Sequence, residues 1–175
     1  KKEWHLKNLH VIPNPLSFYP ENQSTLKNKN VIAVGKQSFQ KGYDRLLQGW
    51  KWVHDKHPDW HLEIYGTINK TEGLEELASN LGILQSVNFY EPVKNIASKY
   101  QQASIYVMSS RFEGFGMVLT EAMAFGVPCV SFDCPYGPSD IIKDGIDGFL
   151  VTNGDVKTLS NKLIELIENE ALRQE

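Results

Sequence analysis

Residues able to do chemistry concentrate in two short stretches of this 175-residue chain. The first, Gly35-Lys36-Gln37-Ser38-Phe39-Gln40-Lys41-Gly42, follows an apolar run and carries two lysines. Lysine is a compact point charge suited to phosphate, although two lysines in a loop also read as solvated surface residues. The second stretch runs from Ser109 to Glu121 and holds the turn Gly114-Phe115-Gly116. Glycines let backbone approach a ligand closely. A helix starting at that turn points unpaired N–H groups outward and carries roughly half a positive charge, which favours phosphate. The alternative is a plain glycine-rich turn. Glu113 precedes this helix and Glu121 lies about a turn and a half into it. The two carboxylates read either as acceptors for ligand hydroxyls facing one cleft or as solvated side chains. Taken together, two cations and a helix N-terminus at one edge form a diphosphate cradle.

Such a cradle needs a scaffold, and hydrophobic periodicity supplies one. Apolar runs predict strands at 31–35, 60–65, 87–90, 105–108, 127–132 and 148–151. Helical spacing predicts helices at 42–57, stopped by Pro58, and at 72–81, 95–103, 116–125 and 139–143, with 156–168 closing the chain. Strand and helix alternating through short loops imply a doubly wound, Rossmann-like α/β domain: a mostly parallel six-stranded sheet with helices on both faces. Ligands then bind at the carboxyl ends of the strands, where both stretches fall. Pro13, Pro15 and Pro20 mark residues 1–25 as an extended connector, leaving 26–175 as one domain.

Composition and missing motifs remove other function classes. The net charge of −3 gives no reason to expect a nucleic-acid partner. No run of eighteen apolar residues occurs, so no membrane insertion by this domain is expected. The opening Lys1-Lys2-Glu3-Trp4 has neither Met nor an apolar signal segment, which is expected of a start inside a longer protein. Cys129 and Cys134 lie on or after an apolar run and read as buried free thiols, in keeping with a reducing cytosol. Leu119 stands where a third dinucleotide-motif glycine would be. There is no Walker loop, no Asp-x-Asp, no Gly-x-Ser-x-Gly, and no His or Cys spacing for a metal; the five histidines are scattered. No metal or cofactor is expected.

These stretches resemble the C-terminal domain of family 4 retaining glycosyltransferases (glycosyl transferases group 1), one half of the GT-B fold. Val11-Ile12-Pro13-Asn14-Pro15-Leu16 resembles the passage from the acceptor domain. Val34-Gly35-Lys36 through Lys41-Gly42 resembles the family's Gly-Arg…Lys-Gly loop. Ser109 to Glu121, continuing to Gly126-Val127-Pro128, resembles its Glu-x7-Glu signature. The resemblance implies transfer of a hexose or N-acetylhexosamine from a nucleotide sugar to a glycan or lipid-linked acceptor, without a metal. Lys36 and Lys41, with Gly35 and the backbone of Gly114, Phe115, Gly116, Met117 and Val118, would hold the diphosphate. Glu121 would bind ribose and Glu113 the sugar, so that Glu113, Lys41 and Lys36 are the implied catalytic residues. Backbone at Pro92 and Val93 would meet the base. The sequence departs from the family where Lys36 replaces the usual Arg and Glu91 a frequent Gly. Asp133-Cys134-Pro135-Tyr136-Gly137-Pro138-Ser139 resembles a variant in members using UDP donors. The implied location is cytoplasmic, with a peripheral position at the inner face of a membrane open for the full-length protein. Alternatives sharing the cradle are a GT-B UDP-sugar epimerase and an inactive nucleotide-sugar-binding domain.

Overall fold

The computed structural model describes residues 15, 16 and 18–174. Most of the connector expected over 1–25, including the greater part of the 11–16 segment, lies outside the described residues, as do His5 and His10.

Six strands, β1 (Asn30–Val34), β2 (His61–Tyr65), β3 (Val87–Tyr90), β4 (Ile105–Met108), β5 (Cys129–Asp133) and β6 (Gly148–Thr152), form one sheet in the order β3-β2-β1-β4-β5-β6. All five pairings are parallel, which tightens the expectation of a mostly parallel sheet. Strand direction of growth reverses between β1 and β4, so the loops leaving these two strands turn to opposite faces and open a crevice.

Each face is covered, and the side-chain alternation of the strands shows how. Val31 and Ala33 of β1, with Ile105 and Val107 of β4, meet Leu46, Leu47, Trp50 and Val53 of α1 (Tyr43–Lys56) and Leu159 and Leu163 of α6 (Val156–Glu168). Ile32, Tyr106 and Met108 point the other way, to Tyr100 of α3 (Ala97–Gln102) and Leu119 and Ala122 of α4 (Met117–Ala124). Both faces being dry, β4 reads as an unbroken apolar run, as a central parallel strand should.

Helix ends follow their local chemistry. Asp155 caps α6 by accepting from the Thr158 N–H at 3.0 Å. The helix expected at 72–81 starts later, as α2 (Leu74–Asn80), because Gly73 at φ 62° follows a separate 3-10 turn at Lys70–Glu72. The helix expected at 95–103 is trimmed to α3, with the Asn95 side chain accepting from the Ser98 N–H at 3.2 Å. The strand expected from residue 127 begins at Cys129. Val127 instead donates its N–H to the Ala122 carbonyl at 3.1 Å, closing α4, and Pro128 has no N–H for a ladder. The short helix expected at 139–143 is α5 (Pro138–Ile141). A further helix, α7 (Glu170–Gln174), follows α6, which was expected to end the chain. Asn169 caps it through the Leu172 N–H, and the buried Arg173 guanidinium donates to the Leu26 and Ile167 carbonyls.

Trp50 is fully buried, and its indole N–H donates to Ser86 Oγ at 3.1 Å. Trp50→Ala is expected to lower the unfolding free energy by about 3–5 kcal/mol, measured by chemical denaturation.

Candidate active site

The loops after β1 and β4 meet across the crevice through a direct ion pair. Lys41 lies in the 3-10 turn Phe39–Lys41 before α1, and its Nζ stands 2.7 Å from Glu113 Oε1. The pair is largely enclosed, with side-chain exposures of 18% for Lys41 and 8% for Glu113. Ser110 Oγ donates to the same carboxylate oxygen at 2.6 Å. The lysine chain reaches it by lying over Gly35, where a Cβ would come within 2.6 Å of Lys41 Cε. Gly35 therefore contributes by having no side chain. Behind it, the buried Tyr43 hydroxyl donates to the Gly35 carbonyl at 3.1 Å; burial and the nearby Glu113 charge push this phenol well above its ordinary pKa. Ser109 Oγ donates to the Lys41 carbonyl at 2.9 Å, a second link between the two loops.

Helix α4 begins just beyond Glu113. Its N-cap is Gly116 at φ 89°, with no side-chain cap bond, so the first-turn N–H groups of Met117 and Val118 are left to solvent or a ligand. The turn is held from both sides. Glu113 N–H donates to the Pro135 carbonyl at 2.8 Å, and Gly137 is pressed so closely on Phe115 that a Cβ there would sit 1.9 Å from the Phe115 oxygen. The segment Asp133–Ser139 thus forms one wall of the site. Cys134 lies in it, buried and free, its thiol pushed up to about 11 chiefly by that burial.

The remaining candidates take up different positions. Glu121 is half-buried on α4 and accepts from the Tyr100 hydroxyl at 3.1 Å. Glu113 thus meets the lysine loop, and Glu121 meets Tyr100 of α3. Burial, then the Glu121 charge, pushes the Tyr100 phenol far upward, keeping it a proton donor. Lys36 is exposed, and no ion pair among the described residues includes it. Gly114 is exposed at the turn, and Pro92 and Val93 are exposed just after β3, beside a Tyr65–Tyr90 ring stack at 4.7 Å. Ser110, Tyr43, Tyr100 and Arg111 join these contacts without standing among the residues expected from the sequence. Ser110 and Arg111 lie inside the motif already singled out, whereas nothing local marks Tyr100, whose role depends on α3 packing against α4. Among the described residues no group of three or more His, Cys, Asp or Glu side chains is arranged to hold a metal ion, and no helix is long and apolar enough to cross a membrane.

Residues 18–175 match the family described as Glycosyl transferases group 1. The chain belongs to that family. It is 35% identical over 173 residues to an uncharacterized glycosyltransferase of Haemophilus influenzae, covering 98% of this chain and 49% of the relative. It is 31% identical to the lipopolysaccharide 1,6-galactosyltransferase of Salmonella typhimurium, covering 96% of this chain and 48% of the relative. Among solved structures it is similar to a mutant of S. aureus TarM in complex with Fondaparinux, alpha-GlcNAc-glycerol and UDP. The TM-score there is 0.87 at 25% identity, covering 98% of this chain and 35% of that one. The chain thus spans about half the length of the curated relatives it matches. Its sheet and flanking helices are those of a glycosyltransferase GT-B half-domain.

Gly137 joins the wall to the α4 turn at a φ of 100°, so Gly137→Ala adds both backbone strain and a clash. It is expected to lower the unfolding free energy by about 1–3 kcal/mol, and an unchanged denaturation midpoint would contradict the contact.

Proposed function

We propose that residues 26–175 form the donor-binding domain of a retaining glycosyltransferase, with 1–25 as the connector from an N-terminal acceptor domain. The enzyme transfers a hexose or N-acetylhexosamine from a UDP-sugar to a glycan or lipid-linked acceptor. The observation that carries this reading is the Lys41–Glu113 pair at the switch point, beside the open N-terminus of α4. The family membership supports transfer chemistry, the galactosyltransferase relative supports a hexose, and the UDP in TarM supports a uridine donor.

On this reading the chemistry follows from where charge develops. As the bond between anomeric carbon and diphosphate stretches, negative charge grows on the leaving oxygens and positive charge on the sugar. Lys41 and the N–H groups of Phe115, Met117 and Val118 are in place beforehand and stabilise the departing diphosphate without reorganising. Gly35 makes room for the Lys41 chain, Gly114 leaves the turn bare where the diphosphate approaches, and Gly116, at φ 89°, lets the backbone turn into α4. The exposed Lys36 adds a second cation from the solvent side. Glu113 binds sugar hydroxyls and stabilises the positive charge at the anomeric carbon. Glu121, oriented by Tyr100, accepts from the ribose hydroxyls, and backbone at Pro92 and Val93 meets the base. Lysines and amides neutralise the leaving group in the role a metal plays elsewhere, so the reaction needs none. Two buried thiols left unpaired accord with a cytoplasmic location.

Titration calorimetry with UDP tests the site: Lys41→Ala and Glu121→Ala are each expected to weaken binding about tenfold or more, and unchanged affinity in both variants refutes the assignment. Transfer by the full-length protein is expected to survive EDTA. Activity lost in EDTA and restored by Mn²⁺ refutes metal independence.

A further inference from the structure

Lys41 and Glu113 approach from loops that diverge at the switch point, so their meeting depends on whatever keeps those loops in register. A bidentate clamp does this from outside the site. Arg111, two residues before Glu113, donates from Nη1 to the Phe39 carbonyl at 2.7 Å and to Asp44 Oδ1 at 2.8 Å, and from Nη2 to Asp44 Oδ2 at 2.6 Å. Its guanidinium lies 4.0 Å over the Phe39 ring. Phe39 precedes Lys41 by two residues and Asp44 follows it by three, so the clamp grips the chain on either side of the lysine.

The contact is reinforced rather than isolated. Arg111 N–H donates to the Gln40 carbonyl at 2.7 Å, and Gln40 Nε2 donates to the Phe112 carbonyl at 3.1 Å. Asn153, from the loop between β6 and α6, donates to the Arg111 carbonyl at 3.3 Å and accepts from Arg45 Nη1 at 3.0 Å. Arg45 Nη2 closes the ring on the Ser109 carbonyl at 2.7 Å. The Arg111 hydrogen bonds hold the Asp44 carboxyl below its ordinary range, so the pair stays charged at neutral pH. An isolated exposed ion pair contributes little, but a planar fork with two parallel bonds and a stacked ring fixes direction as well as distance.

We infer that Arg111 and Asp44 are positioning residues of the transfer site, setting where the Lys41 ammonium meets Glu113 and hence where it meets the donor diphosphate. The consequence for nucleotide binding rests on the donor-site reading; the consequence for Lys41 itself does not. Two measurements separate these.

The first needs no ligand. Lysines of the folded protein are acetylated competitively with acetic anhydride, and each site is quantified by peptide mass spectrometry. In wild type Lys41 is shielded by its pairing with Glu113. In Arg111→Met, and in the milder Asp44→Asn, its relative labelling is expected to rise about threefold or more, as local opening exposes it, while Lys51 and Lys162 are unchanged. Unchanged Lys41 labelling in Asp44→Asn and in folded Arg111→Met overturns the inference. The second is a double-mutant cycle on UDP affinity. Arg111→Met is expected to weaken UDP about fivefold in wild type and less than about twofold in a Lys41→Ala background, because a residue acting through Lys41 has nothing left to position. Equal losses in the two backgrounds overturn it. Should wild type fail to bind UDP, the donor reading fails, and the labelling result still decides the clamp.

Discussion

The meeting of one ammonium and one carboxylate across the switch point is the constraint on which the rest of the site depends. Lys41 and Glu113 belong to loops that leave adjacent parallel strands toward opposite faces, so no local sequence rule brings them together. Their contact requires the β1–β4 pairing to hold its register, Gly35 to stay bare under the lysine chain, and Ser110 to share the carboxylate oxygen. An enclosed charge without a partner is expensive to hold, and the ion pair answers that requirement for both groups.

Around that pair the two helical layers take separate tasks. The α1/α6 layer is a deep apolar pack, with Trp50, Leu46 and Leu163 fully buried, and it fixes the starting point of α1 and thus of the lysine loop. The α3/α4 layer is rich in aromatics: Tyr100 packs with Tyr106 and Phe125 at ring separations of 6.1 and 5.9 Å. Its hydroxyl emerges from that pack to meet Glu121, so a carboxylate on a short helix takes its orientation from a neighbouring one. Both faces of the sheet therefore carry core and site alike: one sets the lysine loop, the other the Glu121 carboxylate.

Much of this was legible in the sequence because its signals are local. Short apolar runs gave the strands, the first two closed by Gly35 and Gly66, and the spacing of Leu46, Trp50 and Val53 gave α1. The family match over residues 18–175 accords with the resemblance carried by the two loops. What was not legible is tertiary. Val127 looks like strand but terminates α4 through Ala122, since an apolar residue after a glycine suits either use. Helix α7 is too short for a periodic signature and forms because Asn169 caps it and Arg173 is buried beneath α6. The bonds of Glu113 to Lys41 and Ser110 and of Glu121 to Tyr100 depend on packing between loops and helices, which their spacing alone does not encode. The clamp from Arg111 to Asp44 spans 67 residues and leaves no trace in either stretch read alone.

Gly137 and Phe115 come from segments usually thought of as independent, one following β5 and the other following β4. Their backbone surfaces are in such close contact that neither can be redrawn alone. In any redesign of this scaffold, the practical unit of exchange is the two loops transplanted together. A graft of the β5 loop by itself would displace the start of α4.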